Sequence, residues 1–280
     1  MHELVLTLSC PDRPGIVHAV SGFLAERDCN ILDSQQYGSP RTSTFFLRVH
    51  VASPIAADQL REQFSAVAVP FGMSWQMNAD DEQQRVLVLV SRMGHCLNDL
   101  LYRWRSGYLP GAVAAVASNH ADLQPLTASY DVPFHHLPVS AQTRDEQESR
   151  ILALVEALDV DLVVLARYMQ VLSPRMCDAL PGRIINIHHS FLPSFRGGRP
   201  YDQAYEHGVK LIGATAHYVT AELDEGPIIE QEVARVGHAH EPDQLAAVGR
   251  DLECVALARA VRWHLEHRVL LDGKRTVVFP

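Results

Sequence analysis

Residues Ile185–Phe195 read INIHHSFLPSF, an apolar beginning that closes on an asparagine and two histidines. With Arg183 and Ile184 in front of it, the run has the length and composition of a buried strand. Side chains alternate along a strand, so Asn186 and His188 share one side while Ile185 and Ile187 take the other. Upstream lie RVLVLVS (85–91), GAVAAVAS (111–118), FHHLPV (134–139) and DLVVLARY (161–168), all apolar and short. The segments between several of them have helical period; in ESRILALVEALDV (148–160), Ile151, Leu154, Val155 and Leu158 fall on one face. Continuous apolar strands separated by helices predict a mostly parallel sheet covered on both sides, an α/β, Rossmann-like domain. Ligands of such sheets sit at the carboxyl ends of the strands, where INIHH delivers its polar groups.

The N-terminal part follows another rhythm. ELVLTLSC (3–10) is a strand, and PDRPG (11–15) carries helix-start signals, with Asp12 as the expected cap and Pro14 in the first turn. Ile16, Val20, Phe23 and Leu24 then recur at helical spacing. NILDSQQY (30–37) and STFFLRVHV (43–51) read as strands joined by GSPRT, followed by a helix in 55–72 and a short strand MSWQM (73–77). This is a ferredoxin-like βαββαβ module. The polar run NADDEQQR (78–85) divides the chain into a first domain, 1–78, a linker, 79–85, and a second domain, 86–280. The second domain ends in one long helix and a hairpin-like tail, VLLDGKRTVVF (269–279).

The chain has 280 residues and a net charge of −9, which argues against a nucleic-acid partner. Neither a signal peptide nor a bilayer-spanning apolar stretch is apparent, so no membrane association is expected. The five cysteines are dispersed without a CxxC pair and read as free thiols of a cytoplasmic protein.

Asn186 can donate hydrogen bonds without changing charge, and His188 can carry a proton near neutral pH. Such a pair suits a carbonyl under attack, whose oxygen needs a donor and whose nucleophile must shed a proton. Asp224 lies in a turn, 223–227, beside a glycine. Together NIHHSFLPSF, GATAHYV (213–219) and LDEGPII (223–229) resemble the signature of the folate-dependent formyltransferases. The resemblance implies a catalytic trio of Asn186, His188 and Asp224. It implies a pterin-binding loop at Met169, Gln170, Val171 and Leu172, and a cis peptide bond before Pro193. His217 either orients Asp224 or is a plain core residue. His189 is expected to point away from the site and to be structural.

The N-terminal segment CPDRPGIVHAVSGFLAERDCNILDSQQY (10–37) resembles an ACT domain. Taken whole, the chain is similar to the formyltetrahydrofolate deformylases, which implies hydrolysis of 10-formyltetrahydrofolate as substrate, with no cofactor, in one-carbon and purine metabolism. Formyl transfer to an amine acceptor is the alternative, as is a non-catalytic sensor. The loop SRMGHCLNDLL (91–101) favours hydrolysis: it has one glycine, Gly94, and Met93, His95 and Leu97 are expected to crowd any approaching phosphate. For the ACT-like domain the resemblance implies glycine or methionine as effectors, bound at Asp12, Gly15, Asn30 and Ile31, and a homo-oligomer. Oligomer contacts alone are the other reading of that domain. His238 and His240 lack a third ligand nearby, so no metal site is expected. Arg144 either meets folate carboxylates or is an exposed helix-start arginine.

Overall fold

A computed structural model describes residues 1–80, 82–192 and 200–279. The chain divides into two compact units, Met1–Gln83 with His267–Pro280, and Gln84–Glu266.

In the first unit β1 (His2–Pro11), α1 (Ile16–Ala25), β2 (Asn30–Ser39), β3 (Thr44–Ser53), α2 (Ala57–Phe71) and β4 (Ser74–Ala79) follow in the predicted order. The sheet order is β2-β3-β1-β4, all antiparallel. Leu4, Leu6 and Leu8 of β1 alternate inward with Leu47, Val49 and Val51 of β3. They meet Ile16, Val20, Phe23 and Leu24 from α1, and Leu60 and Phe64 from α2. The period-2 and period-3.6 patterns thus converge on one core. The helix start differs from the sequence reading. Gly15, in the left-handed region at φ +95°, caps α1 with no side-chain bond, while Asp12 uses its backbone N–H on the Ser43 carbonyl at 2.9 Å.

The second unit runs β5 (Arg85–Val90), α3 (His95–Arg105), β6 (Ala112–Ser118), α4 (Gln124–Ala128), β7 (Phe134–His136), α5 (Arg144–Ala157), β8 (Leu162–Leu165), α6 (Pro174–Ala179), β9 (Ile184–His188), α7 (Pro200–Glu206), β10 (Leu211–Tyr218), β11 (Ile228–Arg235) and α8 (Pro242–Leu265). Its sheet has the order β11-β10-β9-β8-β5-β6-β7. From β9 to β7 every pairing is parallel, and β10 and β11 add an antiparallel edge. Leu87, Leu89, Val163, Leu165 and Ile184 pack with Ile151, Val155 and Met176, burying the sheet under α5 and α6.

Two boundaries shift from their expected places. The linker is shorter than 79–85, because β4 extends through Ala79 and β5 begins at Arg85. The tail, β12 (Val269–Asp272) and β13 (Arg275–Val278), groups with the first unit and not with the second. Val277 and Phe279 pack on Phe46 of β3, and the Asp272 carboxylate accepts hydrogen bonds from Ser39 (3.0 Å) and Thr42 (2.8 Å). An apolar tail covers whichever face is left bare, a choice its own pattern does not encode. Among the described residues no helix is long and apolar enough to cross a membrane.

Candidate active site

The carboxyl end of β9 carries Asn186 and His188, and the antiparallel register places His217 of β10 directly across from Asn186. The Asn186 amide nitrogen is 3.2 Å from His217 Nε2, and His217 Nδ1 is 2.8 Å from the Tyr218 carbonyl. A carbonyl can only accept, so Nδ1 bears the proton and Nε2 accepts from the asparagine. Burial lowers the His217 pKa and keeps the ring neutral, which fixes that polarity. The amide of Asn186 is thereby pinned with its second N–H available to another acceptor.

Asp224 reaches the same place from the β10–β11 turn. Its backbone is left-handed, at φ +55°, a conformation that aspartate adopts more readily than most side chains and that Asp28, Asp131 and Asp159 share. Two residues on, a Cβ at Gly226 would lie 1.7 Å from the Tyr218 carbonyl oxygen, so only glycine allows the chain to turn there. The turn sets Asp224 Oδ1 3.3 Å from His188 Nδ1 and 3.8 Å from His217 Nε2. The hydrogen bond from His188 holds the Asp224 carboxyl below its ordinary value despite partial burial. His188 Nε2 is buried with no hydrogen-bond partner among the described residues.

One cleft collects these groups with the loop after β8. It is lined by Met169, Gln170, Val171 and Leu172, by Asn186, His188 and His217, and by Thr220–Asp224. Met169 and Val171 are exposed while Leu172 is buried, so the loop presents apolar side chains over an anchored base. Ser91 Oγ accepts the Met169 N–H at 2.9 Å and donates to Asn119 at 2.8 Å. Arg144, exposed at the start of α5, donates to the Val171 carbonyl, so it buttresses the loop from outside.

His189 departs from its expected placement. Beyond the last residue of β9 strand alternation no longer governs it, and it also borders the cleft, its ring centroid 5.0 Å from that of His188. Burial, with the charge of Arg167 nearby, lowers its pKa to about 4. The loop 91–101 is also only partly as expected. Leu97 is fully buried and does not border the approach, while His95 turns to Glu253 of α8 at 2.8 Å. Arg167 and Glu253 are not legible as site residues in the sequence, and His95 is legible only as a residue crowding the loop. The one hint is a basic residue interrupting VVLARYM (163–169). Pro193 and its expected cis bond lie outside the described residues.

Among the described residues one trio, His95, Cys96 and Glu253, brings possible metal-ligand atoms within 4.8 Å of one another. Its groups already serve each other: His95 bonds Glu253, and the Cys96 thiol is pushed well up by its hydrogen bond to Cys254 and by burial. A thiol so held is a poor ligand. His238 and His240 belong to no such group among the described residues, and His240 bonds the Gly237 backbone.

In the first unit the four expected effector residues do not form one site within a chain. Asp12 and Gly15 follow Pro11, which pairs with Thr44 and, through it, stands level with Ser39. Asn30 pairs with Ala52, eight residues along β3, which is about 26 Å away at about 3.3 Å per residue.

The comparisons with known proteins agree with this layout. The Formyl transferase family profile matches residues 84–261 and the ACT domain profile matches residues 4–69. The formyltetrahydrofolate deformylase of Corynebacterium sp. (strain P-1) is 52% identical over 277 residues, covering 98% of this chain and 97% of its own. The crystal structure of formyltetrahydrofolate deformylase from Burkholderia mallei superposes with a TM-score of 0.96 at 48% identity, covering 100% of both chains. Glycinamide ribonucleotide transformylase 1 from Symbiobacterium toebii gives a TM-score of 0.68 at 35% identity, covering 72% of this chain and 97% of its own. On an ACT module joined to a formyltransferase unit, matched end to end, the chain belongs to the formyltetrahydrofolate deformylase family.

Proposed function

We propose that this protein hydrolyses 10-formyltetrahydrofolate to formate and tetrahydrofolate, with Asn186, His188 and Asp224 as the catalytic groups. The observation that carries this is the pairing of His188 Nδ1 with Asp224 Oδ1 at 3.3 Å, which leaves the buried Nε2 of this cleft-lining residue without a hydrogen-bond partner among the described residues. The carboxylate keeps the proton on Nδ1 and stabilises the imidazolium, so Nε2 is the basic nitrogen. Water attacks the formyl carbon while Nε2 takes its proton. The oxyanion receives the free N–H of Asn186, whose other N–H is held by His217. Nε2 then returns the proton to the folate nitrogen as the C–N bond breaks, and the formic acid released ionises to formate.

The pterin is held by Met169–Leu172 and the neighbouring loop at 220–223. The folate is the substrate, and the steps are proton transfers that require no further cofactor or metal ligand. The reaction governs a one-carbon pool that supplies purine synthesis, in the cytoplasm, where the five free cysteines remain thiols. The test is formate release from 10-formyltetrahydrofolate, with and without an amine acceptor. Activity that dies in chelator and returns with zinc would contradict the metal-free reading.

For the ACT unit the reading is regulation by a small amino acid, glycine or methionine, at a site shared between copies. Among the described residues the edge strand β2 pairs only with β3. Two copies paired antiparallel through β2 would bring Asn30 and Ile31 of one beside Asp12 and Gly15 of the other, at the start of α1 where a carboxylate is favoured.

A further inference from the structure

Arg167 follows β8 at the rim of the cleft, with a left-handed backbone at φ +63°. Its guanidinium runs toward the N-terminus of α3, where it touches Met93 Sδ at 3.8 Å. Its Nε lies 3.4 Å from Glu253 Oε2, an ionic contact without the alignment of a hydrogen bond. The Glu253 side chain is 1% exposed. It receives His95 Nε2 at 2.8 Å on one oxygen and the Tyr201 hydroxyl at 3.1 Å on the other. Burial pushes this carboxyl up, but the His95 bond, the Arg167 charge and the Tyr201 hydroxyl outweigh it and hold Glu253 below its ordinary value. Tyr201 reaches in because Gly249 stands one turn earlier on α8, where a Cβ would come within 1.9 Å of the hydroxyl.

The helix N-terminus after the first strand of a parallel sheet is the ordinary place for an anionic ligand. Here that place is taken from within. A phosphate arriving beside α3 would have to draw Arg167 to itself, which would strip the buried Glu253 charge of that partner. Water, being small and neutral, meets no such obstacle.

We propose that the Arg167–Glu253–His95 cluster is the specificity determinant of the hydrolysis, excluding phosphate-bearing amines from the acceptor side of the cleft. The inference rests on the deformylase reading above. With water as acceptor the formyl C–N bond is replaced by a C–O bond and formate leaves. With an amine as acceptor a new C–N bond forms, the amine loses a proton, and the folate nitrogen gains one.

The test uses the full chain and glycinamide ribonucleotide as probe, with unphosphorylated glycinamide as control. Arg167→Gly suits the left-handed backbone and removes the cation while leaving the Glu253 carboxylate, so it should not relieve the exclusion. Glu253→Gln keeps the shape without the charge. Each is compared with wild type by calorimetric binding of the ribonucleotide and by the ratio of formylated amine to formate. The expected result is formate alone from wild type, ribonucleotide binding at least about tenfold tighter in Glu253→Gln, whose Arg167 is released, and formylated ribonucleotide among its products. Arg167→Lys should keep exclusion, and glycinamide should bind all forms equally. A folded Glu253→Gln with unchanged ribonucleotide binding and only formate as product would overturn the proposal. So would competitive inhibition of wild-type formate release by the ribonucleotide, a measurement that needs no variant. A wild type that releases no formate would instead defeat the deformylase reading, while the binding comparison would still decide the cluster's role.

Discussion

In the proposed mechanism Asp224 acts through its position more than its type, since a carboxylate in a surface turn is ordinary and one held against His188 is not. Asp224→Asn should leave the fold and folate affinity intact and remove most hydrolysis, as measured by formate release against equilibrium folate binding. Near-normal turnover in that variant would remove Asp224 from the mechanism. His188→Ala should cost at least as much, and Asn186→Ala should lower turnover by about 10²–10³ through loss of one oxyanion donor. Gly226→Ala tests the turn itself. Its Cβ would collide with the Tyr218 carbonyl, so activity should fall with Asp224 chemically unchanged, and a crystal structure should show the turn displaced.

At the level of elements, the tail hairpin and the β10–β11 turn show how distant segments complete a local unit. Phe279 is 6% exposed and shares a cluster with Phe46 and Val277. Phe279→Ala should therefore destabilise the first unit by about 3–5 kcal/mol, read by denaturant unfolding of that unit. Ending the chain at Glu266 should do so more severely, since Asp272 would also leave Ser39 and Thr42. If the tail belonged to the catalytic unit, the first unit would unfold as in wild type.

On the scale of the whole molecule, protonation couples the site to stability. His189 titrates near 4 when folded and near 6.5 when free, and His217 is shifted in the same direction by burial. Between those values the unfolded chain binds more protons than the folded one, so stability falls as pH drops from about 6.5 toward 4. Asp224 and Glu253, both held below their ordinary values, add losses at lower pH as they protonate. Thermal melts across this range should show the decline, and His189→Gln should flatten it; a melting temperature constant from 6.5 to 4 would contradict the burial of neutral histidines. In the ACT unit, Asn30→Ala should weaken the amino-acid response and the pairing of copies while leaving basal formate release unchanged.

Periodicity alone determined the βαββαβ module, the parallel strands and the long α8, because alternation and helical repeat are properties of neighbouring residues. It also placed Asn186 and His188 on one face of β9, and the motif resemblance marked Asp224. What tertiary structure decided depends on contacts between residues far apart in the chain. The register of β9 with β10 set His217 against the Asn186 amide, a contact that neither of its two expected roles named. The end of β9 released His189 into the cleft, and the bare face of Phe46 drew the tail to the first unit. Arg167 and Glu253, 86 residues apart, meet only because β8 and α8 bring them beside the α3 N-terminus. A local pattern can show that a residue is polar or apolar, but a charge gains meaning from the partner that burial forces upon it.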